Sequence, residues 1–331
     1  MPEDWTREQI MELGAAFCRS RILLSAAELN LFTKLRSRPR TVEELCREEG
    51  WSPRGLTIVL DALASMGLVS KTEDEHYRTP LALAGWLTQG GEGSILPMLL
   101  HRVFLWNSWS NLTEIVRTGV NLYDATSPER ADNEVEAFIE AMDVVGLTVA
   151  DVIANSIDLK RYTRMLDLGG GPGTYTAAFL KKAPRMTATL FDFPRVVEIA
   201  RKHLTERSLI DRVSLVEGDF AVDPLPDGFD LVWVSAIIHG SSRKENQELY
   251  RKIYASLDPG GSLLIRDFFL DDTRTSPVEG AIFAVNMLTA TPDGNCYTFR
   301  EIKEDLEAAG FRDVEMIRQG QRMDQIVSAV K

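Results

Sequence analysis

The residue in this chain best placed to move a proton is His239, at the end of the apolar run Asp230-Leu-Val-Trp-Val-Ser-Ala-Ile-Ile-His239. An imidazole titrates near neutrality and can take a proton from a phenol or enol. The other three histidines fall elsewhere, His76 in a charged turn and His101 and His203 in helical stretches. A histidine in such a place can also do no more than cap a strand, so the base role depends on what surrounds it.

A second pattern concerns binding. Arg164-Met-Leu-Asp-Leu-Gly-Gly-Gly-Pro-Gly173 is an apolar strand running into a glycine-rich turn, with a helix expected from Thr174 to about Lys182. Ligands of an open α/β sheet bind beyond the carboxyl ends of the strands. Gly169, Gly171 and Gly173 permit tight backbone geometry there, and Asp167 leads into the turn. A dinucleotide fingerprint would need its third glycine at Thr174, and no GxxxxGK[ST] phosphate loop occurs. A ligand without a pyrophosphate therefore fits better, and S-adenosylmethionine offers an amino-acid head, a sulfonium and a ribosyl adenine instead. The next strand ends in Asp192-Phe193, where a carboxylate suits two ribose hydroxyls. The third ends near Asp219-Phe220, suited to an adenine amino group and ring face. Each acid alone could be a turn or cap residue. Three glycines and two acids at successive strand ends form a far more specific set.

The elements that must hold these groups divide the chain. From Arg164 onward, short β-rich runs alternate with amphipathic helices, the signature of a doubly wound sheet. Before about residue 157 the chain reads as mainly helical. Thr41-Val-Glu-Glu44 is a capping box that opens a short helix through Glu49. Ser52-Pro53 opens the next, with Leu56, Val59, Leu60, Leu63 and Met66 at helical spacing and Gly67 as the stop. Two short strands around a charged turn follow, which makes a winged helix. Residues 94–118 and 132–157 are each expected to form a long helix. They carry Trp106, Trp109, Phe138 and Met142, which read either as interdomain core or as pocket lining.

Composition narrows the function classes. No apolar run approaches the roughly 18–20 residues that span a bilayer, and the N-terminus lacks an apolar signal region. Cys18, Cys46 and Cys296 are too scattered for a disulfide framework or a metal site, so no metal and a cytoplasmic location are expected. A formal net charge of −12 argues against nucleic acid. The winged segment itself, residues 1–90, holds 11 Lys/Arg against 13 Asp/Glu, and its second helix offers only Arg54 as a cation.

The motifs LDLGGGPG, TLFDFPRVVEIA, EGDF, IIH and LDPGGSLLIRDFFLDD resemble the class I methyltransferases. More narrowly, the chain is similar to the plant-type and bacterial small-molecule O-methyltransferase family over nearly its whole length. The resemblance implies a seven-stranded Rossmann-like sheet (158–331), an N-terminal winged-helix dimerisation domain (1–95) and a helical linker (96–157) contributing to the acceptor pocket. It implies S-adenosylmethionine as cofactor, held by Gly169, Asp192, Asp219 and Phe220, and an intertwined homodimer acting on a small, aromatic hydroxyl compound. It makes His239 the general base and Asp267 the carboxylate that orients it. Phe283, Asn286 and Met287 fall where the family lines its acceptor pocket, and His101 is a further candidate. Three departures stand out. Ser235 replaces a cofactor-contacting lysine, Cys296 replaces a second catalytic glutamate, and the family's HDWSD run reads His-Gly-Ser-Ser-Arg. They leave open C-, N- or S-methylation and a cofactor-binding relative that does not methylate. A winged-helix DNA-binding regulator and, more distantly, a nicotinamide dehydrogenase are the remaining alternatives.

Overall fold

A computed structural model of the chain describes residues 5–121 and 132–331. It separates into two compact units, Met1–Phe104 and Leu105–Lys331. The expected linker range 96–157 straddles that boundary and includes residues 122–131, which lie outside the described residues.

The first unit is built from helices and a hairpin. Helix α1 (Arg7–Glu28) opens with a Thr6/Gln9 capping box. Helices α2 (Leu31–Lys34), α3 (Val42–Glu49) and α4 (Pro53–Ser65) follow. The local signals act as expected. Thr41 and Glu44 cap α3 reciprocally, Ser52 caps α4, and Gly67 leaves that helix at φ +73°. Strands β1 (Ser70–Lys71) and β2 (Tyr77–Arg78) pair antiparallel as the wing, before α5 (Leu81–Leu87) and α6 (Leu96–Ser110). Leu31, Phe32, Leu35, Leu45, Leu60 and Leu63 are fully buried inside this unit. By contrast Ile10, Met11, Leu13 and Phe17 on α1 are each more than half exposed.

Both expected long helices are broken. Asn111, at φ −92° and ψ 0° with its amide bonded back to Asn107 O, separates α6 from α7 (Leu112–Thr118). Helix α8 (Asp132–Leu147) likewise stops before α9 (Ala150–Ser156). There the Thr148 hydroxyl donates to Val145 O, and the β-branched pair Thr148-Val149 leaves the helical path.

In the second unit, β3 (Arg164–Leu168), α10 (Thr174–Lys182), β4 (Thr187–Asp192), α11 (Pro194–Glu206) and β5 (Val213–Glu217) form one half of a doubly wound sheet. The other half comprises β6 (Phe229–Ser235), α12 (Arg243–Ser256) and β7 (Leu257–Asp267). A short parallel ladder of β8 (Phe269–Leu270) and β9 (Tyr297–Thr298) brackets α13 (Val278–Ala290). Helix α14 (Phe299–Ala308), β10 (Arg312–Arg318) and β11 (Gln325–Val330) complete the chain. The seven-stranded order is β10-β11-β7-β6-β3-β4-β5, parallel except where β11 pairs antiparallel with β7 and β10. The chain winds outward from β3 in both directions, so the crevice for a ligand opens at its carboxyl end.

Strand alternation sorts the interior into two layers. Met165, Leu231, Trp233, Leu264 and Ile326 pack beneath α9, α10 and α11. Leu166, Val232, Val234, Leu263 and Ile265 pack on the other face, toward α12 and α14. By the same alternation Arg266 and Asp267, adjacent at the end of β7, belong to opposite faces.

Candidate functional site

The glycine-rich turn forms at the crevice. Gly169, Gly171 and Gly173 adopt φ of +67°, +55° and +76°, a region open to glycine at little cost. A Cβ on Gly169 would run into the Ile237 side chain and lie 3.7 Å from the Phe220 ring, and one on Gly170 would press on Leu190. The turn is thus a cradle that a side chain at Gly169 or Gly170 would obstruct. Asp167 is buried and accepts from the Thr176 hydroxyl on α10, and burial pushes its carboxyl up to about 7.

Asp192, at the end of β4, is also buried. It accepts only backbone N–H groups, from Gly171 and Phe193, both at 2.8 Å, and burial raises it to about 6. No cation within 4.0 Å compensates it among the described residues. Asp219 and Phe220 lie beyond β5 in a loop folded by its own Asp219–Asp223 bonds. The Lys252 ammonium on α12 steadies that loop, donating to the carbonyls of Phe220 (2.9 Å), Ala221 (3.0 Å) and Asp223 (3.0 Å).

His239 sits slightly differently from its expected place at a strand end. β6 stops at Ser235, Ala236 takes φ +59°, and His239 lies in a single 3₁₀ turn, Ile238–Gly240. The turn is pinned from two sides. Asn246 Nδ2 donates to Ile238 O (2.7 Å), and Asn295 N–H donates to His239 O (2.9 Å). The run His-Gly-Ser-Ser-Arg acquires a local explanation here, because Ser242 caps α12 in a box with Glu245.

His239 Nδ1 is 2.8 Å from Asp267 Oδ1 and 3.0 Å from Oδ2. Asp267 is fully buried and also accepts from the Phe268 N–H at 2.8 Å. A carboxylate at Nδ1 selects the tautomer with Nδ1 protonated, leaving the lone pair on Nε2. Phe283 packs edge-on to the imidazole, ring centroids 4.8 Å apart. Cys296 is fully buried near Asp267, and burial pushes its thiol up to about 12, so it stays protonated. Among the described residues His239 therefore has one carboxylate partner, Asp267.

Of the other expected pocket residues, Asn286 accepts from Trp109 Nε1 at 2.8 Å and Met287 is buried on α13. Trp106 on α6 and Phe138 and Met142 on α8 are half-buried, and His101 is half-buried in the first unit. Ser235 does not stand alone, since its hydroxyl accepts from Arg266 Nη1 at 2.9 Å. Arg266, a charge inside the apolar run LLIRDFFL, was not among the expected site residues, and its presence in that run was the available signal. No group of three or more His, Cys, Asp or Glu among the described residues could hold a metal ion, and no helix is long and apolar enough to cross a membrane.

Known proteins resemble this chain in sequence and fold. Residues 109–312 match the O-methyltransferase domain and residues 11–89 the O-methyltransferase dimerisation domain. The tetracenomycin polyketide synthesis 8-O-methyl transferase TcmO of Streptomyces glaucescens is 34% identical over 92% of this chain and 91% of its own. Acetylserotonin O-methyltransferase of Gallus gallus is 29% identical over 96% of both. Among solved structures, human N-acetylserotonin methyltransferase in complex with SAM superposes with a TM-score of 0.85 at 26% identity, covering 100% of this chain and 99% of that one. A glycine cradle without a phosphate loop, acids at successive strand ends and a carboxylate-held histidine beside them agree with these matches, and the chain belongs to the O-methyltransferase family, as an S-adenosylmethionine-dependent enzyme.

Proposed function

We propose that the protein methylates a hydroxyl group of a small aromatic molecule, with His239 as general base and Asp267 as its orienting partner. The observation that carries this reading is the His239–Asp267 pair at 2.8 Å, which leaves Nε2 free to accept a proton. Bound adenosylmethionine supplies an electrophilic methyl group. The protein's own work is to hold the acceptor oxygen in line with that methyl and to remove its proton. The imidazolium formed at His239 is stabilised by the buried Asp267 carboxylate.

The cofactor-binding set is Asp167, Gly169, Gly171, Gly173, Asp192, Phe193, Asp219, Phe220 and Ser235. The fit rests on the cradle at Gly169 and on Asp192, a buried carboxylate with backbone donors only, suited to two ribose hydroxyls. Phe283, beside His239, supports an apolar acceptor pocket, to which Trp106, Phe138, Met142, Asn286 and Met287 are assigned with it. Residues 158–331 bind the cofactor, 96–157 contribute helices to the pocket, and 1–95 join two copies into a homodimer. The exposed apolar residues of α1 support that last role. The acidic winged segment supports neither a nucleic-acid nor a membrane partner, and the scattered cysteines support a cytoplasmic setting.

A methyl-transfer screen over phenols, quinones and indoles, read by mass spectrometry, tests the reaction. Products bearing an O-methyl group that His239→Ala makes far more slowly are expected. Methylation only at carbon, nitrogen or sulfur would overturn the hydroxyl assignment.

A further inference from the structure

Arg266 has no place in the chemistry described so far, yet it is 4% exposed. Burying a guanidinium costs several kcal/mol unless charge and hydrogen bonds compensate it. No carboxylate of the described residues lies within ion-pairing distance of it; its adjacent residue Asp267 faces the other side of the strand, and Asp324 is bound to Arg318 at 3.1 Å. Its side-chain contacts are the Ser235 hydroxyl at 2.9 Å and the Tyr175 ring, whose centroid is 5.0 Å away, while Nε has no partner. The Tyr175 hydroxyl is also buried and without a hydrogen-bond partner. Two neighbouring orphaned polar groups in one place indicate a missing acceptor.

The location says which acceptor. Ser235 pairs with Arg266 across β6 and β7, and Val234 pairs with Leu168, so Arg266, Ser235 and Gly169 form one row at the carboxyl edge of the sheet. Tyr175 is the second residue of α10, immediately after the glycine cradle. A guanidinium presents a planar fork of donors that matches a carboxylate. Resting on the cofactor assignment above, we propose that Arg266, with Tyr175 and Ser235, forms the subsite for the α-carboxylate of the cofactor's amino-acid arm.

Two ligands separate this arm from the rest. S-adenosylhomocysteine carries the amino-acid end, whereas 5′-methylthioadenosine keeps adenosine and sulfur but has a methyl group in its place. Calorimetry on the whole protein should show the wild type preferring adenosylhomocysteine. Arg266→Met should weaken that ligand about 10- to 100-fold, the range for a lost charge-assisted bond, and leave methylthioadenosine within about twofold. Arg266→Lys should restore part of the loss. Tyr175→Phe, a milder change that keeps the ring, should weaken adenosylhomocysteine several-fold with methylthioadenosine unchanged, and it decides the matter should Arg266→Met fail to fold. Equal losses for both ligands, or no loss in either variant, would overturn the subsite while leaving the cofactor assignment intact. A wild type that binds neither ligand would overturn the cofactor assignment itself.

Discussion

Asp192 and Asp267 are both buried carboxylates at the carboxyl edge of one sheet, and they are equipped in opposite ways. Among the described residues Asp192 has backbone donors and no cation, and burial keeps its carboxyl up at about 6. Asp267 has its donor built in, an imidazole 2.8 Å away. The first is unfinished without an outside donor, as a ligand-binding acid should be. The second is complete within the protein, as an orienting acid should be. The proposed function therefore divides the crevice into two separable ends, one for holding the cofactor and one for the proton.

Substitution can break that separation if it is wrong. The largest effect is expected from His239→Ala, which should lower kcat by about 10²- to 10⁴-fold, the usual share of a general base, and leave adenosylhomocysteine affinity unchanged. A parallel loss of cofactor binding would show the two ends to be one site. Asp192→Ala should do the reverse, weakening adenosylhomocysteine by roughly 10- to 100-fold through loss of charge-assisted bonds to the ribose. Asp267→Asn should lower kcat by no more than His239→Ala does, up to about 10⁴-fold where the amide selects the wrong histidine tautomer, again with cofactor binding intact.

The pH dependence sharpens the comparison. Asp192 must be ionised to accept two hydroxyls, and its carboxyl titrates at about 6 in the ligand-free protein. Cofactor affinity should therefore rise as pH passes up through about 6 and level off above it. For the fold alone the sign is opposite. A raised carboxyl favours the folded state below its ordinary 3.8, and that contribution is lost as pH climbs through about 6. Calorimetric affinities from pH 5 to 8 on the wild type and Asp192→Asn would test it, and a wild-type profile as flat as the variant's would remove Asp192 from the ribose site.

How much of this was legible in the sequence depends on whether a feature is local. The glycine turn, the caps at Thr41 and Ser52 and the strand that leads toward His239 are written in consecutive residues, and all of them formed, although His239 itself lies in a 3₁₀ turn past the strand end. Asp267 was placed beside His239 through family resemblance. The bond itself needs the register of β6 against β7. Arg266 was missed for the same reason. In LLIRDFFL it reads as one charge in an apolar strand, and only the pairing that sets it against Ser235 and Tyr175 reveals a buried cation. The helix breaks at Asn111 and Thr148 were hidden because apolar spacing continued through them, while side-chain bonds to the preceding turn competed with the helix.

The smallest effect lies beneath the cofactor end, where α8 is fastened to α10 and α11. Asp143 accepts from Arg207 Nη2 at 2.8 Å and from the Thr174 hydroxyl, the first residue of α10. His203, buried on α11, lies 3.6 Å from Asp143 and 3.0 Å from Glu140. Burial pushes Asp143 up, but His203, Thr174 and Arg207 outweigh it and bring the carboxyl down to about 2. Asp143 and Glu140 in turn raise His203 to about 9. A raised imidazole contributes stability fully below its ordinary 6.5 and loses it as pH rises through about 9. Thermal melts should thus show the wild type losing on the order of 1–2 kcal/mol between pH 7 and 10 from this source. His203→Gln should be less stable at pH 7 and flatter across that window. The network borders the cofactor end of the crevice, since Thr174 adjoins the cradle, and among the described residues no bond of it reaches His239. The same variant should therefore shift adenosylhomocysteine affinity modestly and leave kcat at saturating cofactor unchanged, and a drop in kcat alone would tie the network to the proton end instead.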